Sequence, residues 1–172
     1  VDLLDPETTQ RLVESLSATH LLHLAWYTVH KKYWVAEENN QWVEASINLL
    51  AAFEKNGGKR AVFAGTCAEY DWNQGICSED KTPLKPATLY GICKNSLREK
   101  AEQYAGGNGI SFAWGRLFFL YGPEEKEGRL VPSIIRALLS GRPAGCTHGR
   151  QVRDFMHVED AASALVAVLR SF

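Results

Sequence analysis

Thr66, Tyr90 and Lys94, set in A-G-T-C-A-E-Y (residues 64–70) and L-Y-G-I-C-K (residues 89–94), offer a hydroxyl, a phenol and an ammonium. Groups of these three types can move a proton on and off a carbinol oxygen. A tyrosine with its ordinary pKa of about 10 is a poor base at neutral pH unless a positive charge beside it favours the phenolate. Lys94, four residues on, is placed to supply that charge, and Thr66 can hold the substrate oxygen between its own hydroxyl and that of Tyr90. The chemistry implied is the proton-transfer half of an alcohol oxidation or carbonyl reduction, with the hydride exchanged with a nicotinamide. The Y-x-x-x-K spacing alone also fits a surface tyrosine with an unrelated lysine one turn away, so the elements that carry these residues decide the matter.

The hydrophobic pattern supplies those elements. Asp5-Pro6-Glu7 reads as a helix start, with Asp5 as N-cap and Pro6 in the first helical position ahead of Leu12, Val13 and Leu16. Residues 21–26 read as a buried strand. Val43, Ile47, Leu50, Ala51 and Glu54 carry helical spacing in a segment that Gly57-Gly58 stops. Residues 59–65 form the next strand, which delivers Thr66 at its end. A helix over residues 88–105 places Tyr90 and Lys94 on one face and stops at Gly106-Gly107. A strand is expected over 110–120, broken by Tyr121-Gly122-Pro123, then a helix over 130–139 closed near Gly141 and a final helix over 158–172.

Short strands alternating with longer helices imply the α/β class, here a partial Rossmann-like, doubly wound parallel sheet with the start of a substrate-binding lobe. The expected division is residues 1–125 for the nucleotide-binding domain and 126–172 for part of the substrate-binding region and a returning helix. In open sheets of this kind ligands sit beyond the carboxyl ends of the strands, where Ala25, Trp26, Thr66 and residues 118–121 fall.

Composition narrows the function classes. A 172-residue chain that is 45% hydrophobic and 23% charged can bury a real core, and a formal net charge of -1 argues against a nucleic-acid binder. Its apolar runs fall well short of the roughly 20 residues that a membrane span needs, so no membrane partner and a cytoplasmic location are expected. Cys67, Cys77, Cys93 and Cys146 form no C-x-x-C pair and the histidines form no H-E-x-x-H pattern, so reduced thiols and no metal site are expected.

Six blocks in order then resemble the extended short-chain dehydrogenases/reductases, the NAD-dependent epimerases and dehydratases that act on nucleotide-sugars. Asp2-Leu3-Leu4-Asp5 resembles the family's D-L-x-D, and His23-Leu24-Ala25 its H-L-A. Thr66 stands four residues before Tyr70, as the catalytic Ser/Thr does before the tyrosine of S-S-x-x-V-Y. The run from Thr82-Pro83 through Pro86 to Tyr90-Gly91 and Lys94 resembles P-x-x-P-x-x-x-Y-G-x-x-K. Residues 116–123 resemble R-x-F-N-x-Y-G-P, and residues 151–160 resemble Q-x-R-D-F-x-x-V-x-D.

The resemblance implies catalytic roles for Thr66, Tyr90 and Lys94. It places Asp2, Leu3, Leu24, Ala25, Trp26 and Phe118, with Tyr90 and Lys94, against NAD or NADP. Thr66, Cys67, Phe119 and Arg153 would meet a nucleotide-sugar. The reaction implied is epimerisation or 4-ketoreduction, and the partner a second copy of the chain, paired through the helices after the fourth and fifth strands. Leu49, Phe53, Leu97 and Ala101 are candidates for that contact or for the sheet-facing side. Arg153 suits a diphosphate because a guanidinium matches phosphate oxygens with two parallel donors, though a pair with Asp154 or Asp160 would occupy it equally well.

Departures from the pattern matter too. Phe119 replaces the Asn of R-x-F-N and cannot donate to a diphosphate, Trp42 stands where relatives often show Asn, and Cys67-Ala68 replace the Asp-Glu pair of 4,6-dehydratases. Elimination of water needs a dedicated acid and base, so that reaction is not expected. The family's strand, G-x-x-G-x-x-G turn and helix have no counterpart here. The chain therefore reads as a piece of a longer enzyme, which alone could be a non-catalytic binding module and would self-associate through the open edge of its first strand.

Overall fold

The computed structural model describes residues 1–171, apart from the side chain of Gln74. Asp5 starts the first helix as its sequence suggests. Its carboxylate accepts the Glu7 amide, Pro6 fills the first helical position, and α1 spans Pro6–Glu14. Then follow β1 (His20–His23), α2 (Glu38–Lys55), β2 (Arg60–Thr66), α3 (Leu89–Asn108), β3 (Ser111–Leu117), β4 (Phe119–Tyr121), α4 (Leu130–Leu139), β5 (Phe155–His157) and α5 (Val158–Arg170). Two short 3₁₀ turns, Cys67–Glu69 and Trp72–Gln74, lie between β2 and α3.

The chain divides into two compact units, one of Val1–Arg116 with the residues from Leu165 onward, the other of Leu117–Ala164. The first holds a sheet in the order β1-β2-β3, with β1 parallel to β2 and His20 opposite Arg60 through to His23 opposite Phe63. This is the expected α/β class, a Rossmann-like parallel sheet flanked by helices. All seven residues of β2 are buried, as a central strand covered on both faces requires. Phe63, Leu50 and Leu97, fully buried, join Val43, Leu49, Phe53, Ala101 and Ala105 in one core between the sheet and the α2–α3 pair. The valine, leucine and phenylalanine side chains of this set each contribute about 1.5–3 kcal/mol by leaving water. At the far end of β2, buried Arg60 donates to the Ser111 hydroxyl at 2.6 Å and to the Val168 carbonyl at 2.7 Å, tying the last turns of α5 to the sheet.

Several boundaries differ from expectation, each for a tertiary reason. β1 stops at His23, three residues early, because the chain leaves the sheet there: Leu24 turns outward, while buried Trp26 donates its indole N–H to Asn39 at 2.7 Å. α3 runs through Gly106-Gly107 to Asn108. The residue that takes the left-handed conformation ending it is Gly109, at φ 69°, and the two earlier glycines lower helix propensity without breaking the ladder. The single strand expected over 110–120 is two, since β3 belongs to the three-stranded sheet and β4 pairs with β5. Leu49, Phe53, Leu97 and Ala101 all face the core, which removes them as subunit contacts. The last helix spans Val158–Arg170; Phe172, expected within it, lies outside the described residues.

In the second unit β4 and β5 run parallel, with Phe119 opposite Phe155 and Tyr121 opposite His157. Among the described residues no helix is long and apolar enough to cross a membrane.

Candidate active site

Thr66 ends β2 and caps the 3₁₀ turn that follows. Its backbone is extended (φ −147°, ψ 147°), its hydroxyl accepts the Ala68 amide at 3.2 Å, and the Glu69 carboxylate returns to accept the Thr66 amide at 2.8 Å. This is a complete capping box, in which two otherwise orphaned donors are satisfied reciprocally.

Tyr90 sits in the first turn of α3, whose start is capped by the Thr88 hydroxyl accepting the Gly91 amide at 3.1 Å. One turn on, Lys94 shares its face. Gly91 is what allows this turn to reach the Thr66 loop, since a Cβ there would lie 2.5 Å from the Ala68 carbonyl oxygen and 2.9 Å from the Pro86 Cβ. Gly91→Ala is therefore expected to push α3 away from Thr66, with a loss of about 1–3 kcal/mol in denaturation and a disproportionate loss of turnover.

The Tyr90 ring is enclosed by aromatic edges, with centroids 4.9 Å from Tyr33, 5.7 Å from Trp34 and 6.4 Å from Trp26. Burial raises its phenol to about 12, an effect that the Thr66 side chain opposes and that Tyr33, Glu69 and Cys67 reinforce. Lys94 is 4% exposed. Its ammonium donates to the Ala64 carbonyl at 2.9 Å and lies 4.0 Å from the Trp26 ring centroid. Burial lowers its pKa to about 7, against the upward pull of the Glu69 charge. Burial thus favours the neutral form of both groups, so near neutral pH the phenol keeps its proton and the charge expected of Lys94 is only partly present.

His23, at the end of β1, is held by Ser46 at 2.8 Å; since the Ser46 hydroxyl donates to the Trp42 carbonyl at 2.6 Å, the imidazole Nε2–H is the donor. Burial, then the Lys94 charge, lowers its pKa from 6.5 to about 4. A base whose folded pKa is depressed costs stability as pH falls through its unfolded value. Stability should therefore drop by about 3 kcal/mol between pH 6.5 and pH 4, a slope that His23→Gln flattens in equilibrium denaturation.

Of the other expected site residues, Cys67 follows Thr66 directly, and burial raises its thiol to about 11. Trp26 is brought against both Tyr90 and Lys94, with Ala25 next to it and Leu24 exposed. Asp2 and Leu3 lie ahead of α1, where the Asp2 carboxylate accepts the Leu4 amide at 2.9 Å and Leu3 packs on the core. Phe118, Phe119 and Arg153 belong to the second unit. There the Arg153 guanidinium stacks 5.3 Å over the Phe119 ring and donates to the Val152 carbonyl at 2.8 Å, so neither Asp154 nor Asp160 is its partner in these contacts. Phe119 replaces a hydrogen-bonding side chain with a platform for the guanidinium.

Glu69 was not among the residues expected to act. The T-x-x-E pattern of a capping box was the local signal for it, whereas its long-range partners, Trp114 and Arg116, come from β3. Among the described residues no group of three or more His, Cys, Asp or Glu is arranged to hold a metal ion.

A sequence model of the NAD dependent epimerase/dehydratase family matches residues 1–172. The chain belongs to this family. An uncharacterized UDP-glucose epimerase of Bacillus subtilis, YtcB, is 30% identical over 128 residues, 74% of this chain and 40% of that protein. UDP-glucuronate 4-epimerase 4 of Arabidopsis thaliana is 27% identical over 179 residues, covering 98% of this chain and 40% of its own. The crystal structure of Thermus thermophilus UDP-glucose 4-epimerase complexed with NAD superposes with a TM-score of 0.77 at 25% identity, over 100% of this chain and 60% of that one. The chain thus spans about two-fifths of the length of these curated relatives.

Proposed function

We propose that this chain carries the proton-transfer machinery of an NAD(P)-dependent nucleotide-sugar epimerase or 4-ketoreductase. The observation that carries the reading is the approach of Tyr90 and Lys94 to Thr66 through the Gly91 contact with the Ala68 backbone. The family match and the UDP-sugar epimerases among its relatives support it. Thr66 and Tyr90 hold the sugar hydroxyl oxygen and exchange its proton. Lys94 orients the cofactor: its ammonium has three donors and Ala64 accepts one, which suits the remaining two to the adjacent hydroxyls of a nicotinamide ribose. When bound, the nicotinamide supplies hydride acceptance and return, and in its oxidised form a positive charge that favours the phenolate. Trp26, fixed by Asn39, closes the apolar side of this position and excludes water from it.

Cys67 and Ala68 leave the site without the carboxyl pair a 4,6-dehydratase uses, and a thiol raised to about 11 is no base at neutral pH. Asp2, Leu3, Leu24, Ala25 and Phe118 are the further cofactor contacts in this reading. Phe119 and Arg153 are the diphosphate-side contacts, with the stacked guanidinium presenting its charge in the second unit. Full-length enzyme supplied with a UDP- or dTDP-hexose separates the two reactions. Product without net consumption of NAD(P)H means epimerisation, and oxidation of one NADPH per product means reduction. No turnover and no cofactor binding by calorimetry would leave only a binding module.

The same reading puts the enzyme in the cytoplasm as a homodimer. With Leu49, Phe53, Leu97 and Ala101 in the core, the subunit contact falls to the outward faces of α2 and α3, where Ile92 is half exposed. Light scattering across a tenfold dilution should show a dimer or larger species throughout. A strict monomer at every concentration would remove the dimer from the proposal.

A further inference from the structure

Beneath the Thr66 turn lies a buried ionic cluster that the proton-transfer groups do not themselves require. Glu69 is 0% exposed. One carboxylate oxygen accepts the Thr66 amide at 2.8 Å, the other accepts Arg116 Nε at 2.7 Å, and the Trp114 indole N–H lies 3.1 Å from both. Trp114 and Arg116 point the same way because they are two residues apart on β3. Arg116 is held further by Tyr70, with its Nη1 3.4 Å from the phenol oxygen and its guanidinium 5.0 Å from the ring centroid. Gly65 makes the approach possible: a Cβ there would collide with the Trp114 indole nitrogen and the Glu69 carboxylate.

An ion pair whose carboxylate is fully buried is a weak source of net stability, because desolvation offsets much of the attraction. Its location suggests another use. We propose that Glu69 is a positioning residue for the proton transfer, its carboxylate anchored by Arg116 so that it fixes the Thr66 backbone and sets the electrostatic potential around Tyr90 and Lys94. The inference rests on the function proposed above. The Glu69 charge raises the pKa of both Tyr90 and Lys94, and donors directed at a carboxylate draw off part of its charge and so weaken its field. The other titratable or charged groups facing these two are His23 on β1, Tyr33 in the loop before α2, Cys67 beside Thr66, and Arg116 behind Glu69.

The test is the pH profile of turnover in the full-length enzyme. Glu69→Gln keeps an acceptor for the Thr66 amide and removes the charge. Turnover should fall by about tenfold or more, and both limbs of the profile should move to lower pH by about one unit, since one charge raises both groups. A loss of turnover with an unmoved profile would make Glu69 a purely structural residue and overturn the proposal, as would wild-type behaviour. Trp114→Phe provides a second route should Glu69→Gln fail to fold. It removes the indole donor from the carboxylate, strengthens its field, and should shift both limbs the opposite way, to higher pH; an unmoved profile there also overturns the proposal. Tyr90→Phe measured in parallel separates the two levels of inference. If it abolishes turnover while the Glu69 and Trp114 variants keep the wild-type profile, the positioning role alone fails; if it stays active, the proposed reaction fails.

Discussion

Replacing Tyr90 by phenylalanine should lower turnover by about 10² to 10⁴, the usual contribution of a positioned acid–base group, while folding and cofactor affinity stay near wild type. The separation follows from where the ring and the hydroxyl act. The ring packs edge-on against Tyr33, Trp34 and Trp26, and phenylalanine preserves all three contacts. The hydroxyl faces Thr66 and, with its pKa raised to about 12 by burial, is protonated in the resting chain. Removing it takes away the group that exchanges the sugar proton and little that holds the fold. Steady-state kinetics with circular dichroism and cofactor titration would check both halves. Full activity in this variant would end the mechanism.

Lys94→Met should separate stability from activity in the opposite sense. Lys94 is a base whose folded pKa, about 7, lies well below its ordinary 10.5, so burying its charge costs free energy that is fully present below pH 7 and relieved as pH rises toward 10.5. Methionine has similar length and no charge. The variant should gain about 1–4 kcal/mol at pH 7 and lose the rise in stability between pH 7 and 10, with turnover down by about 10² or more. Part of the gain is offset because the Ala64 carbonyl loses its Lys94 donor and Trp26 its cation. Denaturant titrations of both proteins at pH 7 and pH 9.5 measure the difference. A destabilised Lys94→Met would mean that the contacts to Ala64 and Trp26 outweigh the desolvation of the ammonium.

Much of this was legible where the signal was local. The Asp5 cap with Pro6, the bounds of α4 at Leu130 and Leu139, and the pairing of Tyr90 with Lys94 on one helical face depend on neighbours within a turn. What escaped depends on partners far along the chain. H-L-L-H-L-A-W stays apolar past the point where β1 ends, and only the Trp26–Asn39 bond shows why the chain leaves the sheet at His23. Gly106-Gly107 and Gly109 look equally able to stop a helix; the one with positive φ does so. Leu97 and Ala101 have the spacing of either a dimer face or a core face, and the sheet against which α3 packs decides for the core. Glu69 is the sharpest case. Its capping box with Thr66 spans three residues, but the Arg116 that makes a buried carboxylate tolerable stands 47 residues away.

The central claim is that Thr66 and Tyr90 together grip the oxygen whose proton is exchanged. The most direct measurement is a crystal structure of the full-length enzyme with NAD and a UDP-hexose bound. The sugar C4 oxygen should lie within hydrogen-bonding distance of both the Thr66 and Tyr90 hydroxyls, with the Lys94 ammonium on the nicotinamide ribose. A C4 oxygen held by other residues, with Tyr90 still packed between Tyr33 and Trp34 and out of reach, would contradict the account.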